Sequence, residues 1–328
     1  MNKSYAKRPA ILVARAIFPD VLERLAEHFD VEANQDDEEW DTPALTQRLV
    51  GKFGVLTTTG DRISAAVIRQ CPELKICANM AVGYNNFDLD AMSSAGIFGT
   101  NTPDVLTEAT ADFGFALLMA TARRITESER FLRSGAWSRW RYDLFSGADV
   151  HGTTLGIIGM GRIGQAIAQR AYAGFGMRVV YCNRSRLSVE TENRLGAHYM
   201  SKADLLRAAD HVMLVLPYSE QSHHTIGASE LGLMKPTATL VNVSRGGIVD
   251  DAALADALHA GRIAAAGLDV FEGEPHVHPR LLSASNVVLT PHIASATTPT
   301  RHAMARLAAA NLIAMQVDGQ PLNPLNRF

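Results

Sequence analysis

Residues 153–186 read TTLGIIGMGRIGQAIAQRAYAGFGMRVVYCNRSR, and this stretch decides the fold. The apolar run 155–158 is short enough for a buried strand. Gly159, Gly161 and Gly164 follow it in G-x-G-x-x-G spacing. Residues 165–172 then read as helix, ending near Gly174 and Gly176, and the β-branched run 178–181 reads as the next strand. A strand, a glycine turn, a helix and a second strand within about 30 residues make the unit that binds dinucleotides. The first glycine permits the tight turn, the second lets backbone approach a pyrophosphate, and the third lets helix and strand pack closely. Free N–H groups at the start of the helix, together with its dipole, attract the phosphates.

The end of the second strand bears on the choice of cofactor. A carboxylate there would bind the ribose hydroxyls of NAD. This chain has Asn183, Arg184, Ser185 and Arg186 instead. Nothing acidic repels a 2′-phosphate, and two guanidiniums are available to pair with it. NADPH is therefore the expected cofactor, with NADH as the alternative.

The whole chain, 328 residues with 47% apolar and 20% charged side chains, has room for two globular domains. A net charge of −3 leaves no electrostatic footprint for nucleic acid or for a membrane surface. No apolar run approaches the roughly 18 residues of a membrane-spanning helix. Residues 1–9 are polar and basic, which suits a loose tail rather than a secretory signal. Cys71, Cys77 and Cys182 fit neither a disulfide framework nor a common zinc spacing. They read as small hydrophobes in a reducing, cytoplasmic setting.

N-terminal to the glycine motif, strands are expected at 10–14, 31–33, 54–58 and 74–80. Helices are expected at 19–29, from Thr42 as N-cap to residue 50, and at 64–70. This βα alternation predicts a doubly wound parallel sheet. The fourth strand runs into the loop Val82-Gly83-Tyr84, and loops at strand C-termini are where open α/β sheets bind ligands. Its N–H groups suit a carboxylate. Residues 105–132 read as helical and apolar enough to be buried, as a hinge or at a subunit contact. Trp137, Trp140, Tyr142 and Phe145 follow, either as interface anchors or as loop packing. C-terminal to the motif, strands are expected at 211–216, 238–243, 265–270 and 286–289. Helices are expected at 202–209, 228–234 and 251–260, and a long helix at 298–317.

Three of these later strand ends carry polar groups: Ser244-Arg245 after TLVNV, Asp269 at and Glu274 just after AAAGLDVF, and His292 after the last strand. In a parallel sheet, all three open on the edge that holds the nucleotide. Hydride transfer to a 2-keto acid needs a cationic fork for the carboxylate, an acid for the carbonyl oxygen and a carboxylate to orient that acid. Arg245, His292 and Glu274 meet those needs as one set. His223 and His224 lie in a polar loop. His276 and His278 lack an organised third ligand, so no metal is expected.

The stretches HGTTLGIIGMGRIG, VNVSRGGIVD, AAGLDVFEGEP and TPHIASAT, with VGYNNFD and LTEATAD, resemble the D-isomer-specific 2-hydroxyacid dehydrogenases in order and spacing. Within that family the chain is most similar to the glyoxylate/hydroxypyruvate reductase branch, also called 2-ketogluconate reductases, which typically prefers NADPH. The resemblance implies an α/β protein of two doubly wound parallel-sheet domains, a Rossmann cofactor domain (105–293) inserted into a flavodoxin-like substrate domain (1–104, with a returning C-terminal helix in 294–328). It implies Arg245, Glu274 and His292 as catalytic residues, His292 being the proton donor. Gly159, Gly161, Arg162, Ile163, Gly164, Asn183, Arg184, Ser185, Leu216, Pro217, Val243 and Ser244 would hold the cofactor, and Asp269 would meet its carboxamide. Val82 and Gly83 would hold the carboxylate of a small 2-keto acid together with Arg245 and His292. A homodimer through the cofactor domain is implied. The segment between Glu274 and His292 is short for the family and carries His276 and His278.

Other readings are a non-catalytic dinucleotide-sensing corepressor or an enzyme acting on phosphoglycerate, phosphite or formate. The full Arg–Glu–His set speaks against the first. The second lacks cations or a lysine near MAVGYNNF, and formate enzymes replace the catalytic glutamate.

Overall fold

The computed structural model describes residues 8–328, so the expected N-terminal tail lies almost entirely outside the described residues. The chain folds as two units, one made of the residues up to Leu106 with Thr297–Phe328, the other of Thr107–Ala296.

The first unit is a five-stranded parallel sheet: β1 (Ala10–Val13), β2 (Asp30–Ala33), β3 (Gly54–Thr57), β4 (Ile76–Asn79) and β5 (Phe98–Thr100). Its order is β2-β1-β3-β4-β5, the flavodoxin-like arrangement. Strand alternation divides its apolar residues between two faces. Leu12, Val55 and Cys77 join one core with Leu45, Leu49 and Val67. Ile11, Val13, Leu56 and Ile76 join the other, under Ala305, Ala308, Ala309 and Leu312 of the long C-terminal helix Thr298–Asp318. That helix is held to the helix Pro19–His28 by Asp20, which accepts from both His302 and Arg306.

Two local expectations are corrected here. The helix Thr42–Leu49 is capped by Asp41, not Thr42, because the Asp41 carboxylate accepts from the Ala44 N–H. Residues 89–100, unassigned from sequence, form a short helix (Leu89–Ser94) and the edge strand β5.

The second unit is a seven-stranded parallel sheet: β6 (Thr154–Ile158), β7 (Arg178–Cys182), β8 (Ala197–Tyr199), β9 (His211–Leu214), β10 (Thr239–Asn242), β11 (Ala265–Leu268) and β12 (Val287–Leu289). Its order, β12-β11-β10-β9-β6-β7-β8, places β6 beside β9 at the switch point of a Rossmann sheet. Fully buried runs such as Thr239–Asn242 explain the absence of alternating polarity in these strands.

Residues 105–132 do not form one buried helix. Arg124, in the left-handed region at φ 53°, separates Thr107–Ala122 from Ile125–Arg133. The first helix packs Ala111, Phe115, Leu117 and Leu118 into the core, whereas the second buries no residue. Trp137, Trp140 and Tyr142 are exposed, Tyr142 by 91%, so packing within this chain's core is excluded for them. Cys71 and Cys77 are buried and Cys182 half-buried, all three as free thiols. No helix among the described residues is long and apolar enough to cross a membrane.

Candidate active site

The dinucleotide motif closes through two backbone contacts that admit no side chain. Gly159 sits at φ +100°, and a Cβ on it would lie 2.3 Å from the Val215 carbonyl. A Cβ on Gly164 would lie 2.3 Å from the Gly159 carbonyl. Around Gly161, by contrast, nothing stands within 4 Å of where a Cβ would be. The helix Arg162–Gln169 starts directly after it with no side-chain cap. Its first turn, at the positive end of the helix dipole, faces an open surface, which fits a pyrophosphate.

At the end of β7, Arg186 is not free for a ligand. It forks onto Glu192 through two hydrogen bonds of 2.8 Å. Arg186 first and the Tyr181 hydroxyl second hold the Glu192 carboxyl down to about 2. Of the two arginines read as phosphate partners, Arg184 alone is exposed without a side-chain partner among the described residues, beside Asn183, which donates to the Ser185 carbonyl. The signal for this difference is the carboxylate six residues after Arg186. It became legible only with the geometry of the helix Val189–Leu195.

Beyond β9, Leu216 donates its N–H to the Ser244 hydroxyl at 3.1 Å, and the Pro217 carbonyl accepts from Ser222. Val243 and Ser244 are buried at the end of β10. Asn242 fixes the turn that follows: its side chain accepts from Ser244 N–H and donates to the Arg245 carbonyl. Next to it, a Cβ on Gly246 would fall 1.7 Å from the Phe271 carbonyl. The loops carrying Arg245 and Glu274 are thus pressed together, and only glycine fits at the contact.

His292 Nδ1 and Glu274 Oε2 lie 2.8 Å apart. The other Glu274 oxygen accepts from Phe271 N–H at 2.9 Å. With Nδ1 engaged, Nε2 is the nitrogen left to exchange a proton with a ligand. Burial pushes the Glu274 carboxyl up, but His292, the Phe271 N–H and the Arg245 charge bring it below its ordinary value. Arg245 is pulled down by burial and raised by the Glu274 charge, and a guanidinium stays charged regardless. One Arg245 terminal nitrogen donates to the Ser244 carbonyl, while its Nε is buried with no partner. An orphaned cationic donor of this kind is costly unless an anion satisfies it.

Asp269 is fully buried, which raises its pKa. One oxygen accepts from Ile293 N–H and the Thr290 hydroxyl, the other from Ala294 N–H, each at 2.8 Å. Its backbone carbonyl accepts from His292 N–H. Asp269 thereby fixes the turn in which His292 adopts φ +54°. In the sequence, only the nearness of Thr290 to His292 signals this anchoring.

In the first unit, the loop after β4 is built on buried asparagines. Asn79 donates to the Gly83 carbonyl and to Asn86, and Asn86 donates to the carbonyls of Thr58 and Asp61. Asn101 donates to the Val82 carbonyl. With their carbonyls held, the N–H groups of Val82 and Gly83 have no acceptor among the described residues. Asn79, Asn86 and Asn101 were not read from sequence; in the VGYNNFD stretch, Asn86 was the visible hint.

The model of the D-isomer specific 2-hydroxyacid dehydrogenase NAD-binding domain matches residues 115–294. The chain belongs to that family. It is 48% identical over 324 residues to a glyoxylate reductase of Thermococcus onnurineus, covering 98% of this chain and 96% of the relative. A glyoxylate reductase of Thermococcus kodakarensis is 47% identical over 324 residues, with 98% and 97% covered. Among solved structures, an NADPH-dependent glyoxylate/hydroxypyruvate reductase from Sinorhizobium meliloti, in complex with NADP and malonate, superimposes with a TM-score of 0.87 at 38% identity, covering 97% of each chain. These likenesses place this dehydrogenase in the glyoxylate reductase branch of the family.

Proposed function

We propose that this protein reduces small 2-keto acids, among them glyoxylate, hydroxypyruvate and 2-ketogluconate, to D-2-hydroxy acids, with NADPH as the preferred reductant and NADH as the weaker one. The observation that carries the reading is the unpartnered, buried Arg245 Nε beside the Glu274–His292 pair. When bound, the nicotinamide supplies the hydride. Arg245 binds the substrate anion, and His292 Nε2 delivers a proton to the carbonyl oxygen. Glu274 holds the imidazole by Nδ1 and stabilises its charged form. Asp269 positions His292, in addition to the carboxamide contact that the resemblance implies. In the first unit, Val82 and Gly83 offer their N–H groups to the substrate carboxylate.

The first turn at Gly161, Arg162, Ile163 and Gly164 would hold the pyrophosphate, and Asn183, Arg184 and Ser185 the 2′-phosphate. Leu216, Pro217, Val243 and Ser244 would line the rest of the cofactor site. The names of the relatives and the NADP-bound Sinorhizobium structure support this assignment. In this reading, 1–104 with 294–328 serve the substrate and 105–293 the cofactor. The exposed Ile125, Leu132, Trp137, Trp140 and Tyr142 support a homodimer through the second unit. Three free thiols suit the cytoplasm.

The test is a steady-state panel of glyoxylate, hydroxypyruvate and 2-ketogluconate with NADPH and NADH. Turnover with none of the acids sinks the reading; equal or better kcat/KM with NADH sinks the cofactor preference. Arg184→Ala is expected to lower kcat/KM for NADPH about tenfold, with that for NADH unchanged, as loss of one charge-assisted contact implies.

A further inference from the structure

Outside the Arg–Glu–His set, the second unit gathers another group of ligating side chains. His223 and His224 lie in the loop after β9, and Glu272 lies in the loop after β11. Each offers a donor atom within 4.8 Å of the others. His224 Nε2 is 3.1 Å from Glu272 Oε2. Two ligands on one zinc ion, with bonds near 2.0–2.1 Å, stand about 3.4 Å apart, so this pair is already at ligating separation. The His223 ring stacks on His224 with centroids 3.8 Å apart.

The outer contacts have the pattern that metal-bound imidazoles use. His223 Nδ1 meets the Tyr218 hydroxyl at 3.2 Å, and His224 Nδ1 faces Asp250 Oδ2 at 3.9 Å. Ligating histidines commonly give their second nitrogen to such partners, which fixes ring orientation and leaves the other nitrogen for the ion.

The backbone is set as well. His224 lies in the left-handed region at φ +48°, and its N–H donates to the Gly247 carbonyl at 2.7 Å. Glu272 N–H donates to Asp251 at 3.0 Å. Ser222 tethers the loop to Pro217 and Ser219.

We infer that His223, His224 and Glu272 form a binding site for a divalent transition metal, Zn²⁺ in particular, with its remaining position open to water. Two imidazoles and one carboxylate are a ligand set that suits zinc. Glu272 is two residues from Glu274, and Gly247 two from Arg245. A bound ion therefore ties together loops that carry the reductase residues.

The experiment titrates chelator-treated full-length protein with ZnCl2, read by competition with a chromophoric zinc indicator and by thermal unfolding. One ion per chain at micromolar affinity is expected, with a rise in Tm, because a ligand that binds only the folded state stabilises it. His224→Asn tolerates the left-handed backbone. With Glu272→Gln as a second variant, it is expected to weaken binding at least tenfold and to abolish the Tm rise on adding zinc, while keto-acid turnover stays as in the wild type. Failure of the wild type to bind zinc below millimolar concentration would overturn the site. So would unchanged affinity in both variants, which would place the ion elsewhere, for example on His292 and Glu274.

Discussion

Two glutamate–histidine pairs start from positions 272 and 274, two residues apart in one loop. Glu274 meets His292 at 2.8 Å and Glu272 meets His224 at 3.1 Å. Their side chains are exposed to a similar degree, 32% for Glu274 and 43% for Glu272, so burial alone does not separate their roles. The third group does. Beside Glu274 stands Arg245, a half-buried cation whose buried Nε has no partner, which calls for an anion. Beside the Glu272–His224 pair stand a second imidazole and, facing His224, Asp250, which call for a cation. In the proposed reading, the same pair of side chains is an acid held for a keto acid in one place and part of a ligand set in the other. The sign of the neighbouring charge makes the difference.

The largest expected effect is the loss of the proton donor or its partner. His292→Asn and Glu274→Gln should each lower kcat by roughly 10²–10⁴-fold, the range for general acid catalysis, whereas Glu272→Gln should leave kcat near wild type. Equal losses at positions 272 and 274 would break the comparison. Next comes Arg245→Ala, expected to cost about 3 kcal/mol of transition-state binding, on the order of 10²-fold in kcat/KM. Arg245→Lys should restore only part of this, since an ammonium lacks the planar fork.

A smaller effect separates the two anchoring aspartates. Burial is the first cause that raises the Asp251 carboxyl from 3.8 to about 6; the Glu272 N–H opposes it, and the Glu272 and Asp250 charges add to it. The folded state therefore binds this proton more tightly than the unfolded chain. Stability is lost as pH rises from about 4 through about 6, by up to roughly 3 kcal/mol at 1.36 kcal/mol per unit. Asp251→Asn keeps an acceptor for Glu272 N–H and removes the charge, so it should unfold at higher denaturant concentration than wild type at pH 7.5. The gain should vanish near pH 4. A gain of the same size at both pH values would show that the Asp251 charge is not its source. Asp269→Asn should instead lose stability at both, because both its oxygens are acceptors.

Much of this was written locally. Short apolar runs with glycine turns announce strands, so β6, β7 and the glycine motif could be read directly, as could the strands that end near Arg245, Asp269 and His292. Periodicity failed where one residue changes direction. Arg124 divides an apolar segment that reads as continuous, and Asp41 takes a cap that Thr42 also suits. The short elements at 89–100 and 189–199 carry too little pattern to stand out.

The sequence by itself determined the two parallel-sheet units and the dinucleotide turn, and it put Arg245, Glu274 and His292 at or just after strand ends that a parallel sheet brings to one edge. Only the tertiary structure decided which charges meet. Arg186 is taken by Glu192, Asp269 holds the His292 turn, and Glu272 reaches His224 across 48 positions of chain. Side-chain partners chosen over such separations depend on loop geometry, and no local pattern encodes that geometry.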